Sequence, residues 1–207
     1  MANVLMSEKC RLCRASGEKL FLKGERCSIK CPIDRKGAVP PGQHGARRRR
    51  KPSDYGIRLA EKQKLKRVYG IAESELKRYF EEARKVKGTT GETMLQIIES
   101  RLDNLVYRLG LAPSRRFSRQ LVSHKHVLVD GKMVNIPSYR VKPGQVISLD
   151  EKALTIPEVK KLLEKKEESI PEWLEKKAAV GKFSRPPKRE EIGTNVSEQM
   201  IVEFYSR

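Results

Sequence analysis

Cys10-Arg11-Leu12-Cys13 and Cys27-Ser28-Ile29-Lys30-Cys31 are two close pairs separated by thirteen residues, and they use every cysteine of the chain. A gap of two or three residues lets a turn bring both sulfurs to one ion, and two such turns complete a tetrahedral thiolate site. Lys9, Arg11, Arg14, Arg26 and Lys30 crowd these positions. Their charge favours thiolates and offsets the −2 that zinc carries when four thiolates bind it. Four thiolates also suit an iron–sulfur cluster, so zinc and iron–sulfur both stay open on the residues alone. Free thiols or two disulfides are the bland alternative. They fit poorly, because Met1 to Lys9 meets Glu8 before any hydrophobic stretch develops, which is no secretory signal and implies a reducing compartment. No position is left open for water, so the expected metal is structural rather than catalytic.

The second chemistry is that of clustered cations. Arg47, Arg48, Arg49, Arg50 and Lys51 follow Pro40-Pro41-Gly42-Gln43-His44-Gly45 and read as an extended basic arm. Arg115, Arg116 and Arg119 share one short segment with Ser114 and Ser118, and Lys125 follows between His124 and His126. On a helix those guanidinium groups can bridge successive phosphates bidentately. A solvated charged face is the usual fate of a charge run, but this segment carries no acid to pair with its arginines. The two histidines read as RNA-facing or solvated, with no catalytic partner nearby in sequence.

The whole chain extends that pattern. It has 207 residues with 45 Lys+Arg against 26 Asp+Glu, a net +19. Residues 1–51 carry net +10 and residues 99–150 net +5, whereas 151–207 carry only +1. Charge placed for solubility would be spread and mixed with acids, so the partner expected here is a polyanion. About a quarter of the chain is Leu, Ile, Val or Phe, above the ~20% below which a highly charged chain stays disordered. No uncharged apolar run approaches the ~18–20 residues of a membrane span. The expectation is a soluble, cytoplasmic protein with no membrane partner.

The elements that must position these residues follow from periodicity. Ser53 is a helix N-cap, with a helix to about Tyr69 stopped by Gly70. A second helix, from about Glu73 to Lys87, places Leu76, Phe80 and Ala83 on one face. A third, from roughly Glu92 to Leu109, carries Met94, Leu95, Ile98, Leu102, Leu105, Val106 and Leu109. A fourth runs from Ser114 to about Ser123. Residues 126–134 then read as a hairpin about Asp130-Gly131, and 139–149 as a second strand–turn–strand unit. Residues 157–180 look helical, and Met200 to Phe204 looks extended. A small hairpin fits between the cysteine pairs. After Cys31, Pro32 and then Pro40-Pro41-Gly42 read as helix-breaking.

Glu99 to Gly110, Ser114-Arg115-Arg116 to Val134, and Pro137-Ser138-Tyr139-Arg140-Val141 resemble the RNA-binding domain named after small-subunit ribosomal protein S-four. Pro40 to Gly45, Glu61 to Leu65, Tyr69-Gly70-Ile71 and Val202 to Arg207 extend the likeness over essentially the whole chain. It is thus similar to the ribosomal S-four family, and the paired cysteines resemble its bacterial, zinc-bearing type. The resemblance implies an α+β, mostly helical chain in three parts. These are a zinc-knuckle extension over 1–45, a helical domain over 46–98 completed by about 180–207, and an S-four-type helix-plus-β-hairpin domain over 99–165. It further implies a primary binder of 16S-type ribosomal RNA that nucleates assembly of the subunit body. Its expected neighbours are ribosomal proteins S-five and S-three and the messenger RNA where it enters, with an influence on decoding accuracy. Arg115, Arg116, Arg119 and Lys125 then lie on an RNA face, and Lys62, Lys64, Lys66 and Arg67 on another.

Two other functions compete. Arg101-Leu102-Asp103 resembles the short motif that carries the catalytic Asp of pseudouridine synthases. Here, though, it lies in an amphipathic helix, where Asp103 is expected to be a helix-surface or Arg-pairing acid. A zinc-dependent DNA-binding regulator would need a groove-reading helix after its finger, where this chain has prolines. The expectation is therefore no enzyme.

Overall fold

In the computed structural model, which describes residues 9–47, 51–164 and 170–206, the chain divides into two units, and each helix boundary has a local cause. The first unit comprises the described residues up to Gly91 together with those from Asn195 on. It starts with three short helices, α1 (Lys9–Ser16), α2 (Arg26–Ile29) and α3 (Pro32–Lys36). Two longer ones follow, α4 (Asp54–Tyr69) and α5 (Glu73–Lys85). The Ser53 hydroxyl accepts the Gly56 N–H at 3.3 Å and caps α4, and Gly70 ends it in the left-handed region at φ 65°. Leu65, Val68 and Tyr69 of α4 and Leu76, Tyr79, Phe80 and Ala83 of α5 are buried. That is the i, i+3, i+4, i+7 stripe of helices facing a common core.

The C-terminal segment expected to be extended is instead α11 (Glu198–Tyr205). Ile201 is buried, the Tyr205 ring stacks on Phe80 at 5.0 Å, and Phe204 meets Tyr55 at 5.5 Å. Ile201, Phe204 and Tyr205 are three and four residues apart, a helical spacing that alternation in a five-residue window imitates. Glu73 ties this helix down. Its carboxylate accepts from Lys62 and from the Tyr205 hydroxyl on Oε1, each at 2.7 Å, and from Lys66 on Oε2 at 2.7 Å.

The second unit runs from Glu92 to Thr194. It contains most of α6 (Thr90–Glu99), α7 (Leu102–Arg108), α8 (Arg115–Ser123), α9 (Glu151–Leu154), α10 (Pro157–Glu164) and a five-stranded antiparallel sheet. The strands β1 (Val127–Val129), β2 (Lys132–Met133), β3 (Val146–Leu149), β4 (Leu174–Lys177) and β5 (Val180–Phe183) lie in the order β2-β1-β3-β5-β4. Asp130 and Gly131, at φ 50° and 76°, form the β1–β2 turn that the Asp-Gly pair predicts. Leu102, Leu105 and Val106 of α7 and Leu109, just past its end, pack with Leu121, Val122, Ile147, Trp173 and Phe183 in one core. Trp173 meets Phe183 edge-on at 5.9 Å. Gly181 sits where a Cβ would lie 2.4 Å from Leu109 Cδ1, so β5 reaches α7 only through a residue without a side chain.

Several further expectations are corrected here. The long helix expected over 92–109 is interrupted at Ser100-Arg101, because the flanking backbone pairs elsewhere. The N–H groups of Leu102 and Asp103 donate to the carbonyls of Tyr139 and Pro137 at 2.8 and 3.2 Å, and Val141 N–H donates to Ser100 O at 3.0 Å. Residues 139–141 therefore join this break through a single bridge, Arg101 to Arg140, rather than forming a hairpin strand with β3. Residues 174–180, part of the stretch 157–180 expected to be helical, instead belong to the β4–β5 hairpin, which pairs with β3 through Val146↔Lys182 and Ser148↔Val180. Val180–Phe183 thus belongs to this sheet, and only the residues from Asn195 on complete the helical unit. Between the cysteine pairs the chain makes turns rather than a hairpin, and Pro32 opens α3 instead of breaking a helix, as its missing N–H permits in a first turn.

Burial alone would raise the Glu73 carboxyl, but Lys62, Lys66 and Tyr205 together hold it down at about 2. A carboxyl depressed in the folded state stabilises above its unfolded value, near 4.5, and loses that contribution as pH falls through the folded one. Glu73→Gln should therefore lower stability by about 1 kcal/mol at neutral pH, allowing for solvent screening of a half-exposed group. The gap to the parent should close as pH falls from about 4.5 toward 2, read by chemical denaturation across that range. A gap independent of pH would remove the charge from this role.

Candidate nucleic-acid interface and cysteine cluster

α8 is capped at its start by the Ser114 hydroxyl, which accepts the Phe117 N–H at 3.3 Å. Leu121 and Val122 are in the core, while Arg115, Arg116 and Arg119 are half-buried. Arg115 is held from behind. Its Nε donates to Asn104 Oδ1 at 2.8 Å, and its guanidinium lies 4.6 Å over the Tyr107 ring. Asn104 Nδ2 in turn donates to the carboxylate of Glu99. Glu99 is fully buried and accepts from Arg108 Nε at 3.1 Å and Nη2 at 2.6 Å. This relay fixes one arginine of the surface before any ligand arrives. Asn104, Tyr107 and Glu99 support Arg115 and were missed by sequence reasoning, because nothing in their spacing marks them except proximity to Arg115 across the α7–α8 turn.

Asp103 is the Arg-pairing acid of the two expected alternatives, and it is buried rather than on the surface. Arg101 Nε and Nη2 donate to Asp103 Oδ1 and Oδ2 at 3.0 and 2.7 Å, with both residues sequestered from solvent. Both carboxylate oxygens are thus engaged by one fork.

α8 ends in a Schellman turn, in which Lys125 N–H donates to Val122 O and His126 N–H donates to Leu121 O, both at 3.0 Å. Lys125 occupies the left-handed position at φ 66° and is exposed. Glycine is the usual occupant there, and a side chain costs on the order of 1 kcal/mol. The cation is therefore kept against a local conformational cost.

The α4 cations are placed differently from the α8 set. Lys62 is buried, bonded to Glu73 and 4.3 Å from the Phe204 ring. Lys66 shares Glu73, Lys64 bridges to Glu18 at 2.8 Å, and Arg67 donates to Ser16 Oγ at 2.7 Å. All four are engaged within the first unit. Arg47 and Lys51 are exposed, and Arg48, Arg49 and Arg50 lie outside the described residues.

Cys10, Cys13, Cys27 and Cys31 line one small apolar cavity together with Leu22, Pro32, Ile33 and the stems of Lys9, Lys23, Arg26 and Lys30. The Lys23 N–H donates to Cys27 Sγ at 3.2 Å. Burial pushes the Cys13 thiol up, a backbone hydrogen bond with Leu20 pulls it down, and the other three sulfurs push it up again. Four sulfurs lining one cavity among basic residues fit a four-thiolate metal site by donor type. As they stand, no three His, Cys, Asp or Glu side chains among the described residues are arranged to hold an ion.

Known proteins match this chain throughout. Residues 5–99 match the Ribosomal protein S4/S9 N-terminal domain and residues 100–147 the S4 domain. The small ribosomal subunit protein uS4 of Dictyoglomus turgidum is 56% identical over 201 residues, covering 96% of each chain. Those of Natranaerobius thermophilus and Thermus thermophilus are 54% and 52% identical over 202 residues, again covering 96% of each chain. The chain belongs to the small ribosomal subunit protein uS4 family. The junction of the two uS4-family domains, between Glu99 and Ser100, falls at the α6–α7 break, where backbone bonds to residues 137–141 interrupt the helix.

Two experiments probe these sites. Lys125→Gly should leave thermal stability unchanged or raise it by up to about 1 kcal/mol while weakening RNA binding. Lower stability would show that the lysine side chain holds the turn instead. Cys27→Ser should release bound metal and strip hydrogen-exchange protection from residues 9–45, with α4 and α5 still protected. Unfolding of the whole chain would show that the knuckle is not a separable staple.

Proposed function

We propose that this uS4-family chain is a structural, non-enzymatic component of the cytoplasmic small ribosomal subunit, and that it binds 16S-type ribosomal RNA as a primary binder that nucleates assembly of the subunit body. One observation carries the reading. Arg115, Arg116 and Arg119 stand on a capped helix, Arg115 is braced by Asn104 and Tyr107, and Lys125 is retained in a strained turn beside them. Folded RNA is recognised by shape and backbone phosphate, which a preset array of guanidinium groups suits. The exposed Arg47 and Lys51, with Arg48 to Arg50 between them, supply a second contact as a basic arm. Lys62, Lys64, Lys66 and Arg67 act first as internal ties of the helical unit and reach RNA only through its surface. On this reading the chain lies beside ribosomal proteins S-five and S-three, near the site where messenger RNA enters, with an effect on decoding accuracy, as the family resemblance implies.

Zinc bound by Cys10, Cys13, Cys27 and Cys31 is the metal favoured for the cysteine cluster, as a structural staple. An iron–sulfur cluster is the alternative that metal analysis separates. Lys9, Lys23, Arg26 and Lys30 would offset the charge of the loaded site. The enzyme reading loses its one residue, since Arg101 occupies both oxygens of Asp103. The DNA-regulator reading lacks a groove-length helix after Cys31, where α3 has five residues.

Arg116→Ala with Arg119→Ala should lower the slope of log affinity for a small-subunit RNA transcript against log salt by roughly 1–2, about one per lost phosphate contact. Filter binding across a salt series reads it. An unchanged slope would take these arginines off the RNA face.

A further inference from the structure

Two lengths of chain far apart in sequence make up the first unit, one ending at Gly91 and one starting at Asn195, whereas the second runs unbroken from Glu92 to Thr194. Within the first unit α4 and α5 have few close contacts with each other, while α11 packs along α4 and against α5. Their common core is therefore held by a helix that the ribosome makes after all of the second unit. Ile201 is fully buried, Tyr205 stacks on Phe80, and Phe204 meets Tyr55. Polar ties add to this apolar seat. Arg58 Nε donates to Glu203 Oε2 at 2.8 Å, and the Ser197 N–H donates to Glu61 Oε2 at 3.1 Å. A Cβ at Gly91 would lie 2.8 Å from Glu198 Cγ, so α11 begins in close contact with the residue that ends the first stretch.

The second unit ties its own two ends together. Gln96 Nε2, near its start, donates to the Pro187 carbonyl at 3.1 Å. Arg108 Nη2, held by Glu99 at 2.6 Å, also reaches Thr194 Oγ1 at 3.4 Å. Thr194 is the last residue before the chain re-enters the first unit, and α11 follows shortly, at Glu198. The chance that two points on a chain meet falls roughly as the −3/2 power of the length between them. Shortening a loop from about 100 residues to about 10 therefore raises it about thirtyfold. A folded second unit makes that reduction in advance. We infer that the second unit folds first and delivers α11 to α4 and α5, so that the first unit, although made first, is completed last. This reverses the usual N-terminal-first order of domains during synthesis. The α8 arginines are then in place before the α4 cations.

The test follows the full chain as it refolds from denaturant, with amide protection read by pulsed hydrogen exchange. Amides of α7, α8, β1, β3 and β5 should be protected in an early phase, and those of α4, α5 and α11 together in a later one. Protection of α4 and α5 ahead of α11, or ahead of the sheet, would overturn the inference. Q96A/T194V removes both of the bonds between the ends of the second unit and should slow the later phase by up to about thirtyfold. A later phase as fast as the parent's would show that α11 is not delivered in this way. Ile201→Ala lies outside the second unit and tests the helix itself. It should cut equilibrium protection of α4 and α5 at least about tenfold, with α8 and the sheet unchanged. A loss confined to α11 would show that α4 and α5 hold without it, which also sinks the inference.

Discussion

A chain with 45 Lys+Arg and 26 Asp+Glu repels itself when it compacts, so its few well-placed acids decide which cations can be brought together. Three acids do this at the points where elements meet. Glu73 collects Lys62, Lys66 and the Tyr205 hydroxyl and so joins α4, α5 and α11. Glu99 collects Arg108 and Asn104 across the α6–α7 break. Asp103 takes both arms of Arg101 at that same break. The buried groups at Glu99 and Asp103 add little net stability, because desolvation offsets attraction. Removing one partner alone, however, strands the other and costs about 3–5 kcal/mol. The half-exposed Glu73 contributes less.

These acids sort the cations by role. Lys62, Lys66, Arg101 and Arg108 point inward to carboxylates and hold elements in register. Arg115 belongs to both groups, braced by Asn104 and Tyr107 yet standing on the α8 surface. Bracing a side chain in advance reduces the entropy it would lose on meeting a ligand. Lys125 shows the same priority from the other side, since its charge is kept where glycine would cost less. In the knuckle, Arg14 donates to the carbonyls of Val39 and Pro40.

Much of this was legible in the residues. Ser53 and Gly70 bounded α4, the Leu76/Phe80/Ala83 stripe announced α5, and Asp130-Gly131 gave the β1–β2 turn. Each is a local preference that the surroundings did not override. The paired cysteines do share a cavity, and the central arginines do share a helix. The failures have physical causes. A continuous apolar stripe from Met94 to Leu109 suggested one helix, but backbone bonds to Pro137, Tyr139 and Val141 outbid the i→i+4 bonds at Ser100-Arg101. The β4–β5 hairpin was hidden because Leu174–Lys177 and Val180–Phe183 are too short for their period to show, and their pairing partner β3 lies well upstream in the chain.

By itself, then, the sequence determined the caps, the turns, the apolar faces, the basic surplus and the donor type of the cysteine cluster. Each of these depends on atoms within a few residues of one another. Tertiary structure alone decided which lysines are tethered and which arginine is braced, and that the C-terminus is a helix on α4 and α5. Those outcomes turn on contacts between residues far apart in the chain, such as Glu73 with Tyr205 and Arg14 with Pro40, and no local pattern encodes the distance between them.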